Sequence, residues 1–440
     1  MVQETVQPID RKTRAMAFLD NLGVKPLSSD DLHNISVDYQ NVLLLGLQGI
    51  EGRSSLSMLP TLLQPVEFTN LTVGDEALVV EIGGTNVRAA VVTINKEHQP
   101  VIKSVADNPV YHEGKINRTV FKDADDFYNE VIVHMKPVLA GHNPKALGVI
   151  YSFPGQATKT ASGVDIKSTK ELTKGFEIPG IDSELVGQAL LSRLKNYGIS
   201  NDLPVAVMND TPAVLLAAGA RAKIGGVVGT GFNLAITAGG LIYNTESGGF
   251  AHVPSSPIAK LIDFFSGKIG QSLAEKQISG KYLEEMIGHT IHLLIDEKLL
   301  DRRLTDDTYH ADASMITAIL EGRIGEIEER LKAERRSKNG LDEDSRSILT
   351  ELAVRLQQHS ASLVGTMIGT AVATFPEEYE EQKVIIPVEG SVFWKVPGYA
   401  DLVGQYAKQI AKGKKFRFVE IPHAGILGAG VAALSMLRKK

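Results

Sequence analysis

The 440-residue sequence contains no cysteine. Disulfides and thiolate zinc sites are therefore excluded. It also lacks a basic excess: 46 Lys and Arg stand against 52 Asp and Glu, a formal charge of −6. That argues against a broad nucleic-acid-binding surface and leaves room only for a local basic site. No apolar run approaches the ~18 residues of a membrane span. The opening MVQETVQPIDRKTR has no apolar core of a signal peptide, and Glu4 and Asp10 do not suit a mitochondrial presequence. A soluble, cytoplasmic protein with no nucleic-acid or membrane partner is expected. Histidines 112, 142, 252 and 423 are scattered, with no zinc spacing. Ser152 lacks a G-x-S-x-G setting, which argues against a hydrolase triad. What is present is apolar material for sizeable cores, 43% of the chain, and a length that favours two domains.

The chain turns on residues 78–94, LVVEIGGTNVRAAVVTI. Val79, Val80 and Ile82 precede Gly83-Gly84-Thr85-Asn86, and Val87, Ala89, Val91 and Ile94 follow. Two strands joined by a tight glycine turn are expected. Such a turn is either an ordinary hairpin or, with Thr and Asn beside it, a set of donors aimed at an anion such as phosphate. It does not continue as a dinucleotide or Walker A fingerprint.

Before that hairpin, 11–24 reads as an amphipathic helix with Ala15, Phe18, Leu19 and Leu22 on one side, and 37–47 as an apolar helix. Residues 54–60 form an extended connector. After it, a strand is expected near 101–105, a helix over 123–136 stopped by Pro137, and a strand over 146–153. Residues 154–182 are rich in Gly, Pro, Lys and Thr, and a loop of that length points to function. A helix follows at 184–194. Then the grammar repeats: a strand at 205–208, an alanine-rich helix from Thr211-Pro212 to Ala222, and strands around Gly229-Thr230-Gly231-Phe232-Asn233. The cores GGTN and GTGFN form a weak internal repeat, which implies a duplicated α/β domain with a cleft between its halves. Residues 257–375 read as mostly helical, with 323–338 a solvated helix. Late strands at 384–388 and 416–421 precede Gly390-Ser391 and His423-Ala424-Gly425, and a small-residue helix runs to Met436.

Several polar residues fall where these elements end. Asn209-Asp210 closes an apolar strand, so its carboxylate is placed for a cleft at the lip of a sheet. Helix capping with Pro212 at the first helical position is the competing account. Ser152-Phe153-Pro154 and Thr173-Lys174-Gly175-Phe176 bracket the long loop with hydrogen-bond donors suited to a polyhydroxyl or phosphate ligand. Lys174 serves equally as a solvated loop lysine. Glu246, in a turn, and Glu275, near a helix end, are either acceptors for sugar hydroxyls or surface charges.

In series, these segments resemble the hexokinase family, the eukaryotic-type ATP:hexose kinases of the actin-like ATPase superfamily. SLSMLPTLL and EIGGTNVRAAVV resemble the approach to the family's first phosphate motif and the motif itself. LGVIYSFPGQ and LTKGF resemble its sugar-binding signature, and VAVMNDTPAVLLA the segment of its catalytic aspartate. IGGVVGTGFNLAI resembles the second phosphate motif, AEKQISGKYLEEM the later sugar-contact helix, and VEGSVFWKVPGY the adenosine-side strand.

The resemblance implies a two-lobed, duplicated actin-like (ribonuclease H-like) α/β fold with a central cleft and helical insertions in the larger lobe. It implies a small lobe of 70–208 with a C-terminal helix of about 426–440, and a large lobe of 1–69 and 209–425. Asp210 is implied as the general base for the sugar's 6-hydroxyl, with Lys174 also catalytic. Ser152, Phe153, Thr173, Lys174, Asn209, Asp210, Asn233, Glu246 and Glu275 are implied to hold the hexose. Gly83, Gly84, Thr85, Asn86 and Arg88 take the phosphates from one side and Gly229, Thr230 and Gly231 from the other, with Gly390 and Ser391 near the adenosine. ATP and Mg²⁺ are the implied cofactors, with Glu81 near the metal through water, and the implied protein is a monomer or homodimer.

That assignment carries hexose to hexose 6-phosphate, the first step of glycolysis, with glucose the first expectation and mannose or fructose behind it. The chain departs from the family at Glu81 (usually Asp), Phe232 (usually Thr), Leu172 (often Trp) and the motif 423–428, normally acidic and Ser/Gly-rich. The departures lie mainly on the nucleotide side. They motivate one alternative, a catalytically weak hexose-binding sensor of the same fold. An unrelated α/β binding protein is a third possibility.

Overall fold

The computed structural model describes residues 10–49, 54–84, 86–173, 175–304, 313–333, 340–375 and 384–438. Thr85 and Lys174 lie outside the described residues. The strands run in chain order β1 (Leu59–Pro60), β2 (Glu76–Ile82), β3 (Asn86–Ile94), β4 (Pro100–Ile102), β5 (Ser104–Val105), β6 (Asn108–Pro109), β7 (Tyr111–Lys115) and β8 (Ala146–Tyr151). They continue as β9 (Gly155–Thr160), β10 (Gly163–Ser168), β11 (Val205–Met208), β12 (Ile224–Val228), β13 (Phe232–Ala238), β14 (Leu241–Asn244), β15 (Val384–Glu389) and β16 (Phe416–Val419).

Two sheets carry the fold. One has the order β4-β3-β2-β8-β11-β10-β9, with β7 paired to β3; the other is β1-β14-β13-β12-β15-β16. Both contain the same unit. In the first, β2 and β3 form an antiparallel hairpin, β2 runs parallel to β8, and β8 runs parallel to β11. In the second, β12 and β13 form the hairpin, β12 runs parallel to β15, and β15 to β16. The repeat suspected from GGTN and GTGFN is therefore a repeat of topology.

The central strands are buried on both faces, as near-continuous Val, Leu and Ile runs require. On β2, Leu78, Val80 and Ile82 face a core with Phe127, Val131 and Met135 of helix Ala124–Leu139. Ala77 and Val79 face the other way, into a core shared with helix Ala424–Ser435. That helix lies close on the first sheet, because a Cβ on Gly148 would sit 2.6 Å from the Ala429 carbonyl oxygen. Helix Asp210–Leu216 follows β11 of the first sheet in the chain but packs on the second, where a Cβ on Gly225 would sit 2.7 Å from Leu215 Cβ. The two helices meet at Gly428, whose Cβ would lie 1.8 Å from the Ala213 carbonyl oxygen.

Some local expectations change. The loop read over 154–182 contains the β9–β10 hairpin, because Gly163 and Val164 pair with Val205 and Ala206 and extend the first sheet. Pro137 lies inside helix Ala124–Leu139 instead of ending it. The buried face continues to Val138, while Val133, whose carbonyl loses its helical donor to the proline, is exposed and open to water. The second helix begins at Ser29, before its apolar run, because Ser28 and Asp31 form a capping box. The solvated helix read at 323–338 spans Ile324–Ala333, and 334–338 lie outside the described residues. Among the described residues no helix is long and apolar enough to cross a membrane.

Candidate active site

Parallel strands bring their carboxyl ends to one edge, and here those ends carry the polar residues. At the first turn the Gly83 N–H donates to the Asn86 carbonyl at 3.0 Å. Beside it the Ser152 N–H donates to the Ile82 carbonyl at 3.1 Å, and Asn209 Nδ2 reaches the Tyr151 carbonyl at 3.5 Å. Glu81, the turn, Ser152 and Asn209-Asp210 are thus neighbours. In the second sheet the Gly229 N–H donates to the Gly231 carbonyl at 3.0 Å, closing the β12–β13 turn. A Cβ on Gly229 would lie 3.3 Å from Gly390 Cα. Gly390 itself has φ +131°, and its Cβ would fall 2.1 Å from the Val228 carbonyl oxygen, so a side chain is excluded there. Gly229–Gly231 and Gly390-Ser391 thus lie backbone against backbone, with Thr230 and Ser391 exposed beside them.

Asp210 is the first residue of its helix, and Asn209 holds the cap position without a side-chain cap bond. The capping account thus leaves the Asn209 side chain unexplained, while Asp210 satisfies one donor of the first turn. Asp210 Oδ1 accepts from Thr211 N at 2.7 Å and Thr211 Oγ1 at 3.1 Å. Three carboxylates feel its charge. Burial raises the pKa of Glu81, Glu246 and Glu389 above the ordinary carboxylate value, and the nearby Asp210 charge pushes each further up. The Glu389 charge also pushes the pKa of Glu81 up, against the attraction of Arg88, which lowers it. Arg88 Nη1 lies 3.2 Å from Glu81 Oε2 and its Nε 3.2 Å from Glu113 Oε1.

The sugar-side candidates cluster on the second sheet. Asn233 Nδ2 donates to Asn244 Oδ1 at 2.7 Å, and Asn244 Nδ2 donates to Glu246 Oε1 at 2.7 Å. Glu275 lies against the second turn, since a Cβ on Gly231 would be 3.1 Å from Glu275 Oε1. The four-residue helix Glu275–Ile278 that carries it is clamped from three sides. Buried Lys276 places Nζ 2.6 Å from Asp263 Oδ1 and 2.7 Å from the Lys268 carbonyl. Gln277 Oε1 meets His359 Nε2 at 2.9 Å, and Ser360 Oγ donates to the Ile278 carbonyl at 2.9 Å. Burial lowers the His359 pKa to about 4, so this contact is neutral at pH 7.

Two candidates sit differently from the rest. Phe153 packs its ring among Tyr151 and Phe176, with centroids 5.3 and 5.0 Å away, so its side chain belongs to the core. Thr173 is half-buried at the loop end, its carbonyl accepting from Phe176 N at 3.3 Å. Glu389 and Asn244 were not singled out in the sequence. Glu389 stands immediately before Gly390-Ser391 at a strand's carboxyl end, a detectable signal. Asn244 is a buried polar residue closing an apolar strand, which is a weaker one. The altered end motif also finds a use: Ile426 and Leu427 pack into apolar clusters, while the Gly425 N–H donates to Glu389 Oε2 at 3.2 Å.

Two family profiles described as hexokinase match residues 24–220 and 223–435. Hexokinase-3 of Mus musculus is 24% identical over 434 residues, which cover 92% of this chain and 45% of the mouse protein. The chain thus spans about half the length of that relative. The hexokinase of Kluyveromyces lactis is 24% identical over 415 residues, covering 87% of this chain and 83% of its own. A solved hexokinase from Schistosoma mansoni, complexed with glucose, superposes with a TM-score of 0.78 at 20% identity, over 97% of this chain and 100% of that one. Its likeness identifies the paired sheets as the two-lobed, actin-like α/β fold. From residue 24 to residue 435, in sequence profile and in topology alike, this chain belongs to the hexokinase family.

Proposed function

We propose that the protein is an ATP-dependent hexose kinase that transfers the γ-phosphoryl group to a hexose 6-hydroxyl, glucose being the first candidate. The observation that carries this is the position of Asp210. Its charge acts on Glu246 among the sugar-side residues and on Glu81 and Glu389 beside the two glycine turns. A base there reaches a hydroxyl held next to a phosphate. Ser152, the backbone at Phe153, Thr173, Lys174, Asn209, Asn233, Glu246 and Glu275 hold the sugar in this reading. Gly83, Gly84, Thr85 and Asn86 meet the phosphates from one sheet and Gly229, Thr230 and Gly231 from the other; Gly390 and Ser391 flank the adenosine. Arg88 acts on the phosphate side by fixing Glu81.

Phosphoryl transfer demands positioning and charge stabilisation more than covalent chemistry. Asp210 accepts the hydroxyl proton as the new P–O bond forms, when that proton is most acidic. The oxygen donors Glu81, Asp210 and Glu389 suit a hard divalent cation. Among the described residues no three such side chains converge closely enough to grip an ion by themselves, so contact through water and nucleotide oxygens is the fitting mode. Bound Mg²⁺ supplies neutralisation of phosphate charge. Lobes of 70–208 with the C-terminal helix, and 1–69 with 209–425, closing over the sugar, would keep water from competing as acceptor.

A coupled assay with glucose, mannose and fructose plus Mg-ATP tests the proposal. Hexose binding without turnover would favour the sensor reading, for which the apolar packing of Ile426 and Leu427 speaks. Glu81→Asp is expected to keep activity and change the Mg²⁺ dependence, because the carboxylate withdraws by one methylene from Arg88. An unchanged Mg²⁺ titration would separate Glu81 from the metal.

A further inference from the structure

Asn244 is buried, 3% exposed, at the end of β14. A buried amide must satisfy both its oxygen and its NH₂, so its bonds fix its orientation. Asn233 Oδ1 accepts backbone N–H bonds from Leu234 at 2.8 Å and Ser247 at 3.0 Å. Those two amides set the Asn233 oxygen and turn its NH₂ toward Asn244 Oδ1. That in turn directs the Asn244 NH₂ to Glu246 Oε1. The direction of the whole chain is therefore dictated by two backbone amides. It leaves for a ligand one N–H of Asn233 and the second oxygen of Glu246.

The backbone under Glu246 is equally constrained. Glu246 sits in the left-handed region at φ 55°, ψ 42°, uncommon for a residue other than glycine. Such strain persists only where neighbours over-determine it. Thr245 Oγ1 donates to the Leu234 carbonyl at 2.8 Å and also bonds Ser247 Oγ. Ser247 Oγ in turn bonds the hydroxyl of Tyr39, from helix Ser29–Leu47, at 2.6 Å. The residues on both sides of Glu246 are thus anchored away from the cleft.

We propose that Asn244 is a positioning residue that sets Asn233 and Glu246 as a fixed donor–acceptor pair for a sugar hydroxyl. A hydroxyl can accept from Asn233 while donating to Glu246; an ether or carbonyl oxygen cannot, and a deoxy position leaves both groups unpaired. The inference rests on the hexose-kinase reading of the site and adds how its polarity is set.

Asn244→Asp is close to isosteric. It keeps an acceptor for Asn233 but replaces the donor to Glu246 with a like charge. The hexose KM is expected to rise at least about tenfold, the size of one hydrogen bond to a charged group, with the ATP KM unchanged within about twofold. The acid limb of kcat/KM for hexose should move to higher pH. The ionised Glu246 loses its donor and gains repulsion, while the Asp210 and Glu275 charges that already face it stay the same. Asn244→Leu, which removes the amide altogether, should raise the hexose KM as well. A folded Asn244→Asp protein with hexose KM within about twofold of wild type and an unmoved acid limb overturns the proposal. Wild-type protein that binds hexose without phosphorylating it overturns the kinase reading alone, and the same tenfold criterion then applies to the calorimetric hexose Kd. Wild-type protein that does neither overturns both.

Discussion

Asp210→Ala should lower kcat about a thousandfold while the hexose KM stays within about threefold of wild type. The separation follows from where the contacts lie. Asn233, Glu246 and Glu275 are set by their own networks on the second sheet, and none of those bonds passes through Asp210. Removing the carboxylate therefore takes away the proton acceptor and leaves the sugar's other partners in place. It also relieves the repulsion on Glu246, whose pKa should fall, so sugar binding should extend to slightly lower pH. The helix loses the bonds from Thr211 to Oδ1, a local cost of about 1 kcal/mol. Asp210→Asn, which keeps the shape, separates that cost from the chemistry and should be comparably slow. A near-normal kcat in either variant would remove Asp210 as the base.

Gly428→Ala should destabilise the protein by about 3 kcal/mol and lower kcat together with stability. The new methyl would meet the Ala213 carbonyl oxygen at 1.8 Å, the Ala213 carbonyl carbon at 2.7 Å and the Ala217 nitrogen at 2.9 Å. All three are backbone atoms and cannot rotate aside. Helix Asp210–Leu216 would have to shift, and Asp210 is its first residue. Gly425→Ala is the matched control three residues earlier in the same helix. Its methyl would meet two side-chain ends and no backbone, Ile150 Cδ1 at 3.2 Å and Glu389 Oε2 at an ordinary 3.7 Å, and should cost under about 1 kcal/mol. Thermal melts of the two variants check the contrast; equal melting temperatures would sink it.

Much of this site can be read in the chain because strand ends announce themselves. The two glycine turns follow runs of Val, Leu and Ile, and Asn209-Asp210 interrupts another, so the polar lip of each sheet is written as a break in apolar periodicity. Glu389 has the same signature, a carboxylate that ends an apolar strand immediately before Gly390-Ser391. Asn244 carries no such mark: its role depends on Asn233, which reaches it across the β13–β14 pairing. Helix Ser29–Leu47 shows the limit from another side. Its first half is mostly polar, with only Leu32, Ile35 and Tyr39 marking the buried side, and its start is set by the Ser28–Asp31 capping box ahead of them. The contribution of Tyr39 to the site is a long-range contact that no local pattern encodes. Pro137 misleads for a related reason, since tertiary burial of Val138 outweighs the local cost of the proline.

The helix Ala424–Ser435 that covers the first sheet also orders events in time. Val79, Val92 and Ile150 on that face pack with Ile426 and Ala429, residues that are translated only after the whole second sheet. At roughly 5–20 residues per second, the ribosome leaves that apolar face uncovered for tens of seconds. The first half of the chain can form its hairpin and its helix Ala124–Leu139 on the opposite face, yet its core stays open until residues 424–435 arrive. Newly made protein should therefore depend on holding chaperones more than its final stability would imply, and synthesis halted before residue 424 should yield an aggregating chain in place of an independent first lobe.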